Sequence, residues 1–429
     1  MDRAQGQAAV RILQSQKGVA LLIALFAMVL MTFIAVEVSY DTSVEYVVAS
    51  QQINRIKAYY AAKAGLEVSL LRIMLYKQAM SAVGESLGPN KNMLDPIWSF
   101  PFMWPPAIPP GGKTTEVDKD FLKAAVTESL MQGVQYSTGI SPEGGKIDIN
   151  DLGSPLKSFQ KAMADQVLKI FQAEVKNNED FGRKYSSFRF EELINNIADY
   201  IDEDKESRNG GDETSPYRDI EEKDIEMPPN RPLRTLDELH QVAGMKDDFY
   251  NVLAPRVTIF GTKGVNINYA NNEVIMALDP TMTAEVVDKV IARRNDVKLG
   301  GPFKDNKDFF AFVQSYGVNV KAIEASKIPL LYDMEYNFRV VSTGFSANVK
   351  REITVVTYDY ANLAPRLAQI MDEQEKQDQG PAGATPPATT PPATPAAGAA
   401  DPAAGGTGTP KQKIQAAKGR PKVVYWEEN

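Results

Sequence analysis

The feature that most constrains this chain is an uncharged apolar run over residues 19–36. As a helix this run would be about 27 Å long, close to the ~30 Å hydrocarbon core of a bilayer. The residues before it include Arg3, Arg11 and Lys17 against the single acid Asp2. Positively charged flanks stay in the cytoplasm. The sequence therefore predicts an inner-membrane protein with one span, a cytoplasmic amino terminus and a periplasmic body.

The helix that begins in the membrane is predicted to continue well beyond it. No proline occurs before Pro89, and apolar residues recur at helical spacing from Tyr40 to Ala64. One helix is therefore expected to reach about residue 78. A cleavable secretion signal is the competing interpretation, but the residues after Phe33 are a poor match to its small-residue cleavage site.

Composition excludes several kinds of catalytic site. The chain of 429 residues contains no cysteine and one histidine. Disulfides, thiol nucleophiles, thiolate-bound metals and two-histidine metal sites are therefore excluded. The histidine, His240, lies in LDELHQVAGM among apolar residues at helical spacing, which indicates a structural or surface role. We expect a protein that is not an enzyme.

Strand patterns at two distant places predict one antiparallel sheet with an insertion. Residues 134–137 and 146–150 flank the turn SPEGG, and residues 338–343 and 349–358 flank GFSAN, a strong hairpin signal. An isolated hairpin is marginal, so the two pairs are expected to form a single sheet. Helical periodicity predominates between them, in residues 156–176, 190–201, 233–243, 273–277, 285–293 and 305–314. The predicted fold class is α+β.

The amino-terminal pattern resembles a type IV prepilin or pseudopilin. A short basic leader ends in Gly18, and a membrane helix continues into an amphipathic one. The resemblance implies that a prepilin peptidase cuts after Gly18 and methylates Val19, although the family usually has Phe or Met there. Ile23 occupies the fifth mature position, where most members have Glu. A buried carboxylate without a partner charge is costly, so a subunit with no neighbour above it is expected to lack the acid.

Lack of this Glu is typical of the K-type minor pseudopilin of type II secretion, and four further segments resemble that family in order. They are GKIDIND, ADYIDEDKE, RTLDELHQVAGM and GVNINYANNEVIMAL. The resemblance implies a type IV pilin-like long helix and antiparallel sheet, with a large helical domain, SAM-like or helix-hairpin-helix-like, inserted in the sheet. The expected parts are a leader (1–18), a long helix (19–78), a sheet domain (79–153 and 332–365), an inserted domain (154–331) and a disordered Pro/Ala/Gly-rich tail (366–429).

The function implied by the resemblance is structural. A K-type subunit initiates and caps the tip of the type II secretion pseudopilus, and so supports export of folded proteins across the outer membrane. The implied partners are the I- and J-type minor pseudopilins, together with the prepilin peptidase and the inner membrane.

The formal net charge of −8 is concentrated in one segment. Residues 199–226 contain twelve acids and four bases, so they alone carry −8. Carboxylates on alternate residues are followed by a Gly-Gly pair that lets the backbone fold back, so that later carboxylates join the earlier ones. Spacing alone also fits a solvated acidic loop, whereas the family resemblance implies Ca²⁺ held by oxygen ligands. The candidate ligands are Asp202, Asp204, Glu206, Asp212 and Glu213.

Two other functions compete with this interpretation. The stretch from residue 265 resembles the helix-hairpin-helix units of DNA-uptake proteins, which would make the chain a minor pilin-like DNA-binding subunit. Its hairpin position, however, has Asp279 and no glycine, and residues 231–330 carry 13 bases against 12 acids. Phosphate binding needs a basic surface, so no nucleic acid is expected. The second alternative is a membrane-anchored periplasmic enzyme that uses carboxylates and a metal.

Overall fold

A single helix, α1 (Asp2–Val83), runs through the predicted leader, the apolar run and the amphipathic part that follows. The computed structural model describes residues 2–84, 86–106, 120, 124, 133–218, 227–378 and 419–429. Within those ranges, the helix from Gly18 onward is the candidate membrane span, by length and composition. Its apolar window is entirely exposed, as expected for a surface that faces lipid.

The remaining helices are mostly in the predicted places. Five predicted helical stretches correspond to α3, α5, α7, α8 and α9, whereas the stretch 233–243 contains only a short 3₁₀ helix. The α-helices are α2 (Pro96–Ser99), α3 (Lys157–Asn177), α4 (Glu179–Tyr185), α5 (Phe190–Ile201), α6 (Asp247–Leu253), α7 (Asn272–Met276), α8 (Ala284–Asn295), α9 (Asn306–Gln314), α10 (Val320–Ala325) and α11 (Tyr360–Asp378). The 3₁₀ helices are Gly88–Leu94, Ile149–Gly153, Ser215–Tyr217, Leu236–Gln241 and Val297–Leu299.

Polar side chains fix where many of these helices begin. A capping side chain accepts a hydrogen bond from an otherwise unpaired N–H in the first turn. Asn178, Asn271, Asp305 and Asn319 act in this way for α4, α7, α9 and α10. The 3₁₀ helix at Leu236–Gln241 starts with a capping box. The inserted segment is thus divided into short helices by its own sequence.

The main sheet has five antiparallel strands in the order β1-β2-β7-β8-β9. The predicted hairpin is present as β7 and β8, and β2 pairs with β7 along its whole length. Two small parallel ladders, β3 with β4 and β5 with β6, lie outside this sheet. The strands are β1 (Phe102–Trp104), β2 (Val134–Pro142), β3 (Ile147–Asp148), β4 (Val257–Thr258), β5 (Val265–Asn266), β6 (Leu330–Leu331), β7 (Phe338–Ser346), β8 (Val349–Thr357) and β9 (Val423–Glu428).

One predicted strand therefore pairs differently from the expectation. Residues 146–150 form only the two-residue β3, which joins β4 of the inserted segment instead of the main sheet. The cause is the close packing just before it, where a Cβ on Gly145 would lie 2.5 Å from the backbone of Tyr269. The chain leaves the main sheet at this point because the inserted segment occupies the adjacent space.

The prediction that residues 366–429 are disordered is wrong at both ends. Helix α11 continues to Asp378 and packs against α3, burying Leu363 and Ile370 at helical spacing. At the other end, β9 adds to the edge of β8. The intervening residues 379–418, which carry the Pro/Ala/Gly-rich composition behind the prediction, lie outside the described residues.

Helix α1 is joined to the sheet by direct backbone contact. Its buried residues recur every three or four positions from Ala58 to Met80 and face β2, β7 and β8. A Cβ on Gly344 of β7 would lie 2.0 Å from the carbonyl oxygen of Ala58. On the helix side, a Cβ on Gly65 would lie 2.5 Å from Ser342 Oγ. Glycine at both places lets the helix and the strand approach more closely than side chains allow.

The inserted segment is attached to the sheet through buried carboxylates. The Glu335 carboxylate accepts hydrogen bonds from the backbone N–H groups of Asn337, Tyr336 and Gly144, at 2.9 to 3.3 Å. The side chain of Asn337 donates to Phe260 O at 3.0 Å and accepts from Asp359 N–H at 3.1 Å. The two chain crossings between the sheet and the insertion are thus held by polar groups without access to water.

Substitution of Gly344 by Ala should disrupt the contact between α1 and the sheet. Overpacking at a rigid backbone contact should lower the free energy of unfolding by about 3 kcal/mol. Gly139→Ala on the neighbouring strand is the matched control, because nothing lies within 4 Å of its Cβ position; it should stay within about 0.5 kcal/mol. Urea unfolding in detergent, followed by tryptophan fluorescence, to which Trp98 of the same core contributes, measures both. Equal effects would contradict the close approach.

Glu335 should give the fold a measurable pH dependence. Burial raises the pKa of this carboxyl to about 7 from its ordinary 4.5, against backbone hydrogen bonds that lower it. Between these values the folded protein retains a proton that the unfolded chain releases, so this contribution to stability is lost as pH rises. Glu335→Gln should flatten the fall in unfolding midpoint between pH 5 and pH 8. Parallel profiles for wild type and variant would show that Glu335 does not titrate in this range.

Candidate metal centre

Three of the predicted ligands meet in the loop that follows α5. Each of Asp202, Asp204 and Glu213 offers a carboxylate oxygen, and these oxygens lie within 4.8 Å of one another. Asp202 and Glu213 are buried, with 8% and 3% of their surface exposed, whereas Asp204 is exposed. The group is thus a partly closed pocket of oxygen atoms that opens to solvent on one side.

The Gly-Gly turn brings the later carboxylate back to the earlier ones. Gly210 and Gly211 have φ values of 89° and 92°, a conformation that side chains disfavour, as their sequence predicted. The backbone then forms an antiparallel bridge between Glu206 and Asp212. This hairpin places Glu213 beside Asp202, which ends α5.

The two other predicted ligands lie on the hairpin outside the three-residue group. Glu206 donates its backbone N–H to Asp204 Oδ1 at 2.9 Å, so it positions a candidate ligand through the main chain. The Asp212 carboxylate accepts the N–H of Thr214 at 2.9 Å, and this hydrogen bond lowers the pKa of Asp212. Among the described residues, Asp212 therefore acts as a turn residue.

Asn230 belongs to the same site, although the sequence pattern gave no sign of it. Its side-chain N–H₂ donates to Glu213 Oε2 at 3.1 Å and to the carbonyl oxygen of Asp204. The residue lies in the stretch PPNRP and has a φ of 45°, a left-handed conformation that Asn tolerates better than most residues. The sequence around Asn230 therefore indicates a turn that favours Asn, but it does not indicate which distant carboxylates the side chain contacts.

Three oxygen atoms of this site are buried and have no hydrogen-bond partner among the described residues. They are Asp202 Oδ1, Glu213 Oε1 and Asn230 Oδ1. A buried acceptor left without a donor costs about 1 to 3 kcal/mol. Carboxylate and amide oxygens are the ligands that Ca²⁺ prefers, and it takes six to eight of them, water included. The residues present therefore fit a hard divalent cation.

The electrostatics of the loop also favour a cation. The pKa of Glu213 is raised to about 7, chiefly by burial and also by the neighbouring carboxylates Asp202, Asp199 and Asp204, against a hydrogen bond from Asn230 that lowers it. Burial raises the pKa of Asp202 as well, although Arg208 opposes the shift. Arg208 forms ion pairs with Asp202 and Asp199, on the side of Asp202 away from its unpartnered oxygen. One arginine thus offsets only part of the negative charge.

The other residues singled out from the sequence are not part of the carboxylate group in this loop. Val19 and Ile23 are exposed on α1, with Gly18 just before them. The centroid of the His240 ring lies 4.1 Å from that of the Tyr250 ring, with the two rings tilted by 33°, and His240 Nδ1 lies 3.6 Å from Asp247 Oδ1. This arrangement supports a structural role for the histidine.

The segment that resembles a DNA-binding hairpin has an acidic side chain where such a hairpin would bind phosphate. Between α7 and α8, the Asp279 carboxylate accepts the backbone N–H of Thr281 at 2.9 Å. A phosphate-binding hairpin would offer such N–H groups to the ligand. Here an acid of the chain already occupies this N–H group.

The fold is α+β and pilin-like, because the later part of the long helix α1 packs on an antiparallel sheet that carries a helical insertion. Family models described as "Type II secretion system (T2SS), protein K" match residues 145–262 and 265–328. These two successive domains of one protein cover most of the insertion, and they support the assignment of the chain as a K-type minor pseudopilin of type II secretion.

Searches of known proteins add little to this assignment. Among solved structures, the chain is similar to a chain of the GspK-GspI-GspJ complex from the type 2 secretion system of enterotoxigenic Escherichia coli. The identity is 17% and the TM-score 0.41, over 53% of this chain and 75% of that chain. This similarity is too weak to transfer contacts. No curated protein matches the chain.

Proposed function

We propose that this chain initiates and caps the tip of a type II secretion pseudopilus, and so supports export of folded proteins across the outer membrane. The observation that carries the proposal is the position of the inserted segment. It contains both protein K domains and interrupts the chain between β2 and β7, which are neighbours in the sheet. This role is structural and requires no catalysis.

The contacts of α1 support a position of the inserted segment at the end of the sheet that is farther from the proposed membrane span. Ser346, at one end of β7, hydrogen-bonds to Asn54 of α1 at 3.2 Å. At the other end of β7, Phe338 packs on Tyr76, which lies farther along α1 from the apolar run. The insertion leaves and rejoins the sheet at this second end. A bulky domain there would block another subunit from stacking above.

The amino-terminal residues support processing as a prepilin. The proposed cleavage after Gly18 would free Val19 for methylation and leave the uncharged Ile23 at the fifth position. Without the usual carboxylate, the subunit makes no charge pair with a neighbour above it, which suits a place at the tip. We place the processed helix in the inner membrane and the body in the periplasm, since the basic flank precedes the apolar run.

The carboxylate loop is proposed to bind Ca²⁺. Asp202, Asp204 and Glu213 would supply carboxylate oxygens, and Asn230 Oδ1 is a fourth candidate ligand. A bound cation would give partners to the three buried oxygen atoms. It would also neutralise the part of the carboxylates' negative charge that Arg208 does not offset. Its role would be to order the loop on the surface of the insertion.

Two minor pseudopilins are the proposed partners. The solved complex named above contains GspK with GspI and GspJ. We propose that the corresponding I- and J-type subunits assemble with this chain, below the level of its inserted segment.

Removal of one carboxylate should separate a metal ligand from an ordinary loop acid. Glu213→Gln removes the negative charge and replaces one carboxylate oxygen by an NH₂ group that cannot bind a cation, so Ca²⁺ affinity should fall by about 10- to 100-fold. Glu206→Gln makes the same change on the same loop outside the three-residue group, and should alter affinity by less than about threefold. Calorimetric titration and the calcium-induced rise in melting temperature measure the effect. A wild-type protein that melts identically in calcium and in chelator would remove the basis for the site.

A change at the proposed cleavage site should test the membrane role. Gly18→Ala should leave the leader attached and abolish secretion, because the peptidase requires the glycine. Gly6→Ala, within the leader, is the matched control and should be processed normally. The mass of the mature amino terminus should correspond to cleavage before Val19 with one added methyl group. Normal processing and secretion by Gly18→Ala would instead indicate an ordinary membrane anchor.

A further inference from the structure

The last described strand closes the edge of the main sheet. β9 pairs with β8 in antiparallel register from Ile353 to Thr357. Beyond it, Asn429 and Glu352 exchange both backbone hydrogen bonds at 2.9 Å, and Tyr358 N–H donates to Lys422 O at 3.0 Å. The segment therefore satisfies backbone groups of β8 that would otherwise face solvent.

Side chains around β9 connect it to α1 and to the inserted segment. Arg420 forms an ion pair with Glu67 of α1 at 2.8 Å. Glu428 Oε1 accepts the hydroxyl of Tyr59, also on α1, at 3.3 Å. On the opposite face of the sheet, the Tyr425 ring lies 5.9 Å from that of Phe260. The register and orientation of the strand are thus defined by contacts at both faces.

These contacts hold the strand at the surface. No side chain from Val423 to Glu428 is buried, and Val424 and Trp426 are 51% and 40% exposed. Backbone pairing therefore contributes most of the attachment. Addition of an extended peptide to a sheet edge is a recurring mode of peptide recognition, in which main-chain hydrogen bonds supply affinity.

We propose that the edge of β8 is a strand-binding surface and that residues 419–429 are its tethered ligand, which prevents the edge from pairing with a second copy of this chain. The exposed edge would present β-branched residues in the sequence ITVVT, at 353–357, and unpaired N–H and C=O groups. Such an edge is a template for pairing between chains. A second copy offers the same edge, so two copies can pair through it.

The segment is joined to the rest of the protein by a long stretch of chain. Residues 379–418 separate it from α11 and are rich in Pro, Ala, Gly and Thr. Because the segment is covalently attached, its binding to β8 is an intramolecular event, so modest affinity is enough for the edge to remain covered.

The test separates the strand from its tether. A protease site is inserted within residues 380–410 of the full chain in detergent, the chain is cut, and the freed segment is removed by dialysis. A labelled synthetic peptide of residues 419–429 is then titrated into the cut protein. We expect saturable binding, a shift of the stripped protein to a dimer in light scattering, and return to monomer when peptide is added.

Two peptides methylated at one backbone nitrogen make the test specific for backbone pairing. In an antiparallel pair, N–H groups point alternately toward the partner strand and away from it, and the reciprocal bonds of Glu352 and Asn429 place Glu427 N–H toward β8 and Glu428 N–H away from it. N-methylation at Glu427 should weaken binding about tenfold, the loss of one backbone hydrogen bond, whereas N-methylation at Glu428, which keeps the carboxylate that contacts Tyr59, should stay within about threefold. Equal weakening or no saturable binding would overturn the strand-binding surface. A stripped protein that remains monomeric would overturn its shielding role.

Discussion

The backbone contact between α1 and β7 is the constraint on which the rest of the molecule depends. At Gly344 the strand lies against the carbonyl of Ala58 with no room for a side chain, and Gly65 allows the same closeness from the helix. The sheet is therefore fixed along one stretch of a helix whose beginning is apolar enough for a membrane. This contact fixes where the sheet lies along α1. It therefore also fixes how far the insertion, which joins the sheet at the end of β7 near Tyr76, lies from the apolar run.

Much of the fold was predictable because the buried positions of regular helices and strands are occupied by apolar residues at regular spacing in the sequence. The long helix, the hairpin of β7 and β8 and five helices of the insertion are regular and local, so their apolar spacing indicates them. Strand β3 was assigned to the wrong sheet because its pairing depends on β4, far along the chain. Strand β9 was missed because it is short, shallow and preceded by a low-complexity segment. Its pairing comes from the free edge of β8, which its own composition does not indicate.

The candidate site shows the same division. That Asp202, Asp204 and Glu213 could converge followed from the alternating acids and the two glycines, but this spacing also fitted a solvated loop, and only the family resemblance favoured a cation site. Which side chains of that loop converge is decided by the hairpin, and the hairpin leaves Glu206 and Asp212 outside the group. Asn230 was not predictable, since it reaches the loop from the other side of residues 219–226 and its role depends on tertiary packing.

The buried acids of the protein fall into two environments with different consequences. At the junction, backbone N–H groups surround Glu335, so this carboxyl is satisfied within the chain and holds the insertion to the sheet. In the loop after α5, Asp202 and Glu213 keep one oxygen each without a donor among the described residues, and Asn230, which donates to Glu213, has a third such buried oxygen. The first arrangement completes a structural joint, whereas the second leaves buried oxygen atoms without a donor among the described residues, which favours a positive charge beside them. This contrast, rather than acidity alone, is what identifies the loop as the candidate cation site.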